Sequence, residues 1–332
     1  MKLALAICGE FPDVRVGRIV ESLNAHGWIH DALCSKAPPQ FSHVYRNVDF
    51  NPYRSFNQFV ERIEASEAEV LAVHGELYSF WAMEAARLGA RGRPIIFFPH
   101  DLPSARAGGV SDVYEKSAIE AATATVFVTE EMRDFAKRGG ISVDKPSVVV
   151  SNYPSASIFI DGTLLPHIGG VVYEGGAEKR GQVAGWRDMS PIADALDGNL
   201  HIYPGNPGCD YGILHETELH YPLLIQRLAQ HDWGFVGVWP ANEAWTQTVP
   251  TKAFEYIAAG IPILAMNCPL LKPLCMAGMG RYVNSLEELV KWSKRDPAPY
   301  REAVLRLRDN YSLDKFIQPL ADLYASLGGT HE

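Results

Sequence analysis

Two series of short apolar runs, each run closed by a glycine or a polar turn, set the architecture open to this chain. The first series falls at residues 3–8, 70–73, 95–98, 126–128 and 147–150, and the second at 170–173, 200–203, 234–238 and 263–266. Amphipathic stretches lie between the runs. Such a rhythm describes strands buried on both faces of a parallel sheet, with helices as the crossovers. At 332 residues the chain suits two domains of about 150 residues each. Asp161-Gly162-Thr163 is a turn signal between the series. The expected domains are therefore residues 1–160 and 161–310, each Rossmann-like, with 311–332 as a terminal helical segment. Beyond Ser285 the pattern is helical over 286–292, 300–307 and 314–327. Ligands of such sheets gather outside the carboxyl ends of the strands. That points to the turns Gly9-Glu10, His74-Gly75-Glu76, His100-Asp101, Thr129-Glu130 and Ser151-Asn152.

Composition narrows the function classes. Hydrophobic content of 47% and charged content of 21% are those of an ordinary globular protein. A formal charge of −9 argues against broad electrostatic binding to nucleic acid or to an anionic membrane. Five cysteines, Cys8, Cys34, Cys209, Cys268 and Cys275, are an odd number with no C-x-x-C spacing. Neither a disulfide framework nor a zinc knuckle is expected, and a reducing cytoplasm is the expected location. The opening M-K-L-A-L-A-I-C-G-E-F has a short apolar run and no small-residue cleavage pattern, so it reads as a first buried strand rather than a signal peptide. No segment reaches the roughly 18–20 apolar residues of a membrane span.

Residues 249–269, V-P-T-K-A-F-E-Y-I-A-A-G-I-P-I-L-A-M-N-C-P, carry the most chemistry. Phe254, Ile257, Ala258 and Ile261 fall at the spacing of a helical face turned to a core. Pro250 and Thr251 open the helix, Gly260 fits the left-handed position past its last turn, and Pro262 stops it. Lys252 then lies in the first turn, where the macrodipole disfavours a cation by a few tenths to about 1 kcal/mol. A phosphate would offset this, because free N–H groups and a lysine at a helix N-terminus make an anion site. Glu255, about one turn on and off the apolar stripe, has the chemistry to accept hydrogen bonds from a ribose diol. Spacing alone favours a simple solvated Lys252–Glu255 pair.

The wording of this segment resembles the donor-site segment of GT-B glycosyltransferases, above all the retaining family 4, also called group 1. That pattern runs roughly P-x-K-x-x-E-x-x-A-x-G-x-P, met here by Pro250, Lys252, Glu255, Ala258, Gly260 and Pro262. The resemblance implies a GT-B fold: two Rossmann-like β/α/β domains facing across a cleft, with a C-terminal helix crossing back onto the first. It implies that Glu255 holds the nucleotide ribose, and that Val249, Thr251 and Lys252 lie at the nucleotide. Many family 4 members carry a second glutamate eight positions earlier, where this chain has Gln247. A glutamine offers a sugar hydrogen bonds but no negative charge to an oxocarbenium ion.

Other stretches are similar to further parts of that family. Gly175 and Gly176, followed by Lys179 and Arg180, look like the first donor-domain loop, in which glycines approach a diphosphate and a cation neutralises it. An isolated Gly-Gly-x-x-Lys is also a plain turn. Tyr203 and Gly205 occupy the next strand-end loop, with an ordinary proline–glycine turn as the alternative reading. His100 and Asp101 match a strand-end pair that the family places at its cleft, implying a catalytic or sugar-orienting role; such a pair also caps helices. Gly9 and Glu10 match the acceptor-side loop. His215, Glu216 and His220 imitate a metalloprotease signature, but with a spacing of five the histidines would diverge on a helix, so no metal site is expected. Trp186, Trp239 and Trp245 are candidates for stacking on sugars, with buried packing as the rival use.

The implied activity is transfer of a sugar from a UDP- or GDP-sugar to an acceptor hydroxyl, metal-independent, with retention and without a cofactor. The acceptor is open among a glycan, a lipid-linked glycan, a small molecule and a modified nucleic-acid base. A sugar-nucleotide 2-epimerase and a non-catalytic nucleotide-sugar-binding protein are the alternatives.

Overall fold

The computed structural model describes residues 2–8, 14–34, 42–50, 55–75, 80–100, 102, 113–181, 188–216, 219–241, 246 and 248–328. The chain divides into two compact units. Residues 1–152 and 313–332 form one, and residues 153–312 the other.

The first unit is built on seven strands: β1 (Lys2–Cys8), β2 (Trp28–Cys34), β3 (Val48–Phe50), β4 (Val70–Gly75), β5 (Ile95–Pro99), β6 (Ala124–Phe127) and β7 (Ser147–Val149). They pair in the order β3-β2-β1-β4-β5-β6-β7, and every pairing is parallel. The second unit contains β8 (Val171–Glu174), β9 (Leu200–Tyr203), β10 (Ile213–Leu214), β11 (Trp233–Gly237), β12 (Ile263–Met266) and β13 (Gly280–Val283). Their order is β10-β9-β8-β11-β12-β13, again parallel throughout. Counted within each unit, both sheets read 3-2-1-4-5-6, the doubly wound Rossmann order, and the first adds a seventh strand. The direction of winding reverses beside β1 in the first sheet and beside β8 in the second. Crevices at such switch points are where these folds take ligands.

All nine strands expected from the apolar runs are present, most with ends moved by a residue or two. Four more escape an apolar-run reading. β2 holds His30 and Asp31 within W-I-H-D-A-L-C, β3 and β10 are short edge strands, and β13 begins with glycine and arginine. His30 is nonetheless fully buried on β2. Its ring lies against Tyr324, and Tyr324 in turn meets Trp28 edge-on at 5.1 Å. Tyr324 belongs to the last helix, Gln318–Leu327, which packs into the first unit as the family resemblance implies. The expected single helix over 314–327 is two, Leu313–Phe316 and Gln318–Leu327, because Pro319 takes the first turn of the second. Among the described residues, no helix is long and apolar enough to cross a membrane.

The core of the second unit gathers Tyr173, Leu200, Ile202, Trp233, Phe235, Leu264 and Met266 on one face of its sheet. The helix Thr251–Ala258 is buried along residues 253–258. Gly260 has φ +73° directly after it, the left-handed stop read from the sequence.

Candidate functional site

Helix Thr251–Ala258 is seated by three contacts within its own unit. Tyr256, fully buried, lays its ring across β11 where Gly234 leaves room; a β-carbon there would fall 2.2 Å from the ring. Its hydroxyl accepts from the Glu174 N–H at 2.7 Å and donates to the Phe235 carbonyl at 3.2 Å. The phenol thus ties the helix to the carboxyl end of β8. Phe254 packs edge-on against Tyr153 at 4.7 Å, and both rings contact Tyr311. The Ile160 N–H donates to the Ala258 carbonyl at 3.0 Å.

That seating delivers Lys252 to the loop after β8. Its ammonium lies 3.9 Å from the centroid of the Tyr173 ring, in cation–π geometry. A side chain at Gly175 would come within 2.8 Å of the Lys252 Nζ, and Gly175 has φ +130°, a backbone state closed to other residues. The Gly175 N–H is held by the Tyr203 carbonyl at 2.7 Å. Among the described residues Lys252 makes no ion pair, although it is partly shielded from solvent. The helix opens on Pro250 with no side-chain cap. An unpaired cation, uncapped amides and a glycine turn therefore meet at the end of β8, beside the switch point. Two of these are positive features and the third gives close access; their common complement is an anion.

Glu255 is 3% exposed. The sequence placed it off the apolar stripe, and the fold buries it because helix Thr251–Ala258 is covered on more than one side. Val249 and Thr251 are half-buried at the helix entrance, and Gly176 is exposed beside Gly175.

The remaining expected donor residues are placed differently. Arg180 is exposed and forms a two-pronged pair with Asp194, at 2.6 and 3.0 Å. That pair, with Asp210 3.9 Å away, holds the guanidinium firmly protonated. Lys179 is exposed, makes no ion pair among the described residues, and runs its stem over Gly208. The loop carrying both is pinned from beneath: Asn206 donates to the Ala177 carbonyl at 2.8 Å, and Tyr211 donates to the Glu178 carbonyl. Tyr203 contributes its carbonyl to the Gly175 turn, while its ring stacks on His215 at 4.2 Å. Gly205 serves packing, since a β-carbon there would meet the His215 carbonyl at 2.3 Å.

In the first unit, His100 follows β5, and its N–H donates to the Gly75 carbonyl of the neighbouring strand at 2.9 Å. Its ring stands edge-on to that of His74, 5.9 Å away, so two imidazoles share the carboxyl ends of β4 and β5. Asp101, Gly9, Glu10, Gln247, Trp186 and Trp245 lie outside the described residues. Trp239 is described and packs, half-buried, against the core of the second unit. Tyr256 and Tyr173 are the site residues that pattern reading passed over: an apolar-looking tyrosine in a helix carries no sign that its hydroxyl reaches another strand.

Comparison with known proteins bears on the fold and on the first unit. Residues 12–153 match the model of the glycosyl transferase 4-like domain. Solved structures similar to the whole chain include AviGT4, a glycosyltransferase involved in avilamycin A biosynthesis. It is 11% identical with TM-score 0.58, covering 98% of both chains. The lipopolysaccharide outer core galactosyltransferase WaaB is 12% identical with TM-score 0.59, covering 97% of this chain and 99% of its own. An alpha-glucosyltransferase in complex with UDP-glucose and DNA containing an abasic site is 7% identical with TM-score 0.61, covering 98% and 99%. A search of curated proteins finds no match. Residues 12–153 thus carry a glycosyl transferase 4-like domain, and the likeness to these structures shows a GT-B fold over the whole chain.

Proposed function

We propose that this enzyme transfers a sugar from a UDP- or GDP-sugar to an acceptor hydroxyl, with retention and without a catalytic metal. The observation that carries the proposal is the unpaired Lys252 ammonium held between the Tyr173 ring and Gly175, at the uncapped start of helix Thr251–Ala258. Breaking the anomeric carbon–oxygen bond leaves negative charge on the diphosphate, and stabilising that charge is the main electrostatic task. Lys252 and the first amides of the helix take that role, Gly175 and Gly176 let the backbone approach the phosphates, and Lys179 adds a second cation. Arg180, already balanced by Asp194, shapes the loop rather than holding phosphate. Glu255 accepts from the ribose hydroxyls. His100, with Asp101, orients the sugars, and Gly9 and Glu10 serve the acceptor. Structures of the same fold bind UDP or UDP-glucose, which supports a nucleotide-sugar donor.

The acceptor is a hydroxyl of a glycan, a lipid-linked glycan or a small molecule. A modified nucleic-acid base is the second reading, supported by the similar alpha-glucosyltransferase in complex with UDP and DNA containing an HMU base. The formal charge of −9 weighs against it. Thermal-shift screening of UDP- and GDP-sugars should find one donor that raises the melting temperature. Mass spectrometry of acceptor mixtures incubated with that donor should show one added hexose-type residue, and transfer should need no added Mg²⁺ or Mn²⁺. A protein stabilised by none of these donors would end the proposal.

A further inference from the structure

A second cluster lies in the same unit, on the other face of the sheet. β9 turns Leu200 and Ile202 into the core with Tyr173, so His201 and Tyr203 project from the opposite side. His215 follows the edge strand β10, its N–H donating to the Ile202 carbonyl at 3.1 Å. His231 occupies the turn between helix Tyr221–Leu228 and β11. The His201 Nδ1 and the His215 Nε2 are 2.9 Å apart, and one ring nitrogen from each of the three histidines lies within 4.8 Å of the others.

We propose that His201, His215 and His231 bind a divalent first-row transition-metal ion, zinc above all, at a site separate from the Lys252 pocket. Three imidazoles with one exchangeable position are a common zinc donor set. Tetrahedral Zn–N bonds of about 2.0–2.1 Å place ligand nitrogens roughly 3.3 Å apart; the His201–His215 pair is at 2.9 Å, and all three nitrogens lie within 4.8 Å of one another. His231 also has the outer-shell bond that orients a ligating imidazole: its Nδ1 lies 2.8 Å from the Gly169 carbonyl. The proton is thereby held at Nδ1, leaving the Nε2 lone pair, 3.5 Å from the Tyr203 hydroxyl, as the donor available to a metal. His201 and His231 are buried, so the site is largely enclosed by protein. Glu216, next to His215, is committed to Arg227 at 2.7 Å, so the ligand set is all nitrogen. His215 is only half-buried, which gives the ion an entry path and the fourth position access to water. The ion would pin the two-residue edge strand β10 to β9 and to the turn before β11.

His220, the neighbour of His215 along the chain, sits exposed at the start of helix Tyr221–Leu228. The spatial partners come from distant segments, so no spacing motif announces them.

Metal-free full-length protein should take up one equivalent of Zn²⁺ by calorimetry, and its Co²⁺ adduct should show the visible absorption of tetrahedral coordination. His231→Gln removes one ligand, and His215→Phe keeps a ring stacked on Tyr203 while removing another. Each variant should lose at least the roughly 10–100-fold in affinity that even an outer-shell loss costs, with far-UV circular dichroism unchanged; His220→Ala should bind as the parent does. If His231→Gln fails to fold, His215→Phe decides. Absence of saturable Zn²⁺ uptake by the parent protein, or unchanged affinity in folded His215→Phe, overturns the proposal.

Discussion

Lys252 reaches the loop after β8 and Arg180 belongs to that loop; they carry the same charge, yet their surroundings assign them opposite work. Arg180 is neutralised by a two-pronged carboxylate pair, whereas Lys252 has an aromatic face and a glycine turn for neighbours. Arg180→Ala should therefore change donor affinity by less than about threefold, in keeping with the ~0–1 kcal/mol of an exposed pair, as read by calorimetry with the best donor. Tyr256 works at one remove. Tyr256→Phe strips a buried hydroxyl that satisfies both the Glu174 N–H and the Phe235 carbonyl. It should cost about 1–3 kcal/mol, measured by urea unfolding, and should loosen donor binding by moving Lys252 away from Gly175. Lys252, Glu255 and Gly175 were legible in the sequence because a charge in a first turn, a carboxylate one turn on and a double glycine after a strand each break a local rule. Tyr256 and the histidine cluster were not, because they depend on contacts between strands far apart in the chain.

Elements follow the same division. Strands that are apolar throughout announced themselves, while β2 did not, since His30 and Asp31 interrupt it. The same buried imidazole makes the strand acid-sensitive. Enclosure lowers the His30 pKa from 6.5 to about 3, against a smaller opposing pull from Asp31. The native state excludes a proton that the unfolded chain takes up below pH ~6.5, so this contribution is complete above that pH and is lost as pH falls toward the folded value. Urea unfolding between about pH 6.5 and pH 4 should show a steeper loss of stability in the parent protein than in His30→Gln. Equal slopes would show that His30 does not govern the acid limb.

At the scale of the molecule, one strand order appears twice; the two series of apolar runs point to two Rossmann-like domains, while the order rests also on β2, β3, β10 and β13, which no apolar run marks. The final segment is the exception to simple succession: residues 313–332 belong with residues 1–152, not with the unit they follow. Tyr324 holds that segment against Trp28 and His30. Tyr324→Ala should therefore destabilise the first unit by about 3–5 kcal/mol, the range for a large buried ring, with limited proteolysis attacking the chain end first.

On the proposed reading, the phosphates of a nucleotide sugar are held where Lys252 meets Gly175. Calorimetric titration of the parent protein and Lys252→Ala with the stabilising UDP- or GDP-sugar tests it most directly. A charged hydrogen bond of ~1.5–3 kcal/mol predicts about a tenfold to hundredfold loss of affinity in the variant, with its melting temperature without donor unchanged. Equal affinity in the two proteins would contradict the assignment.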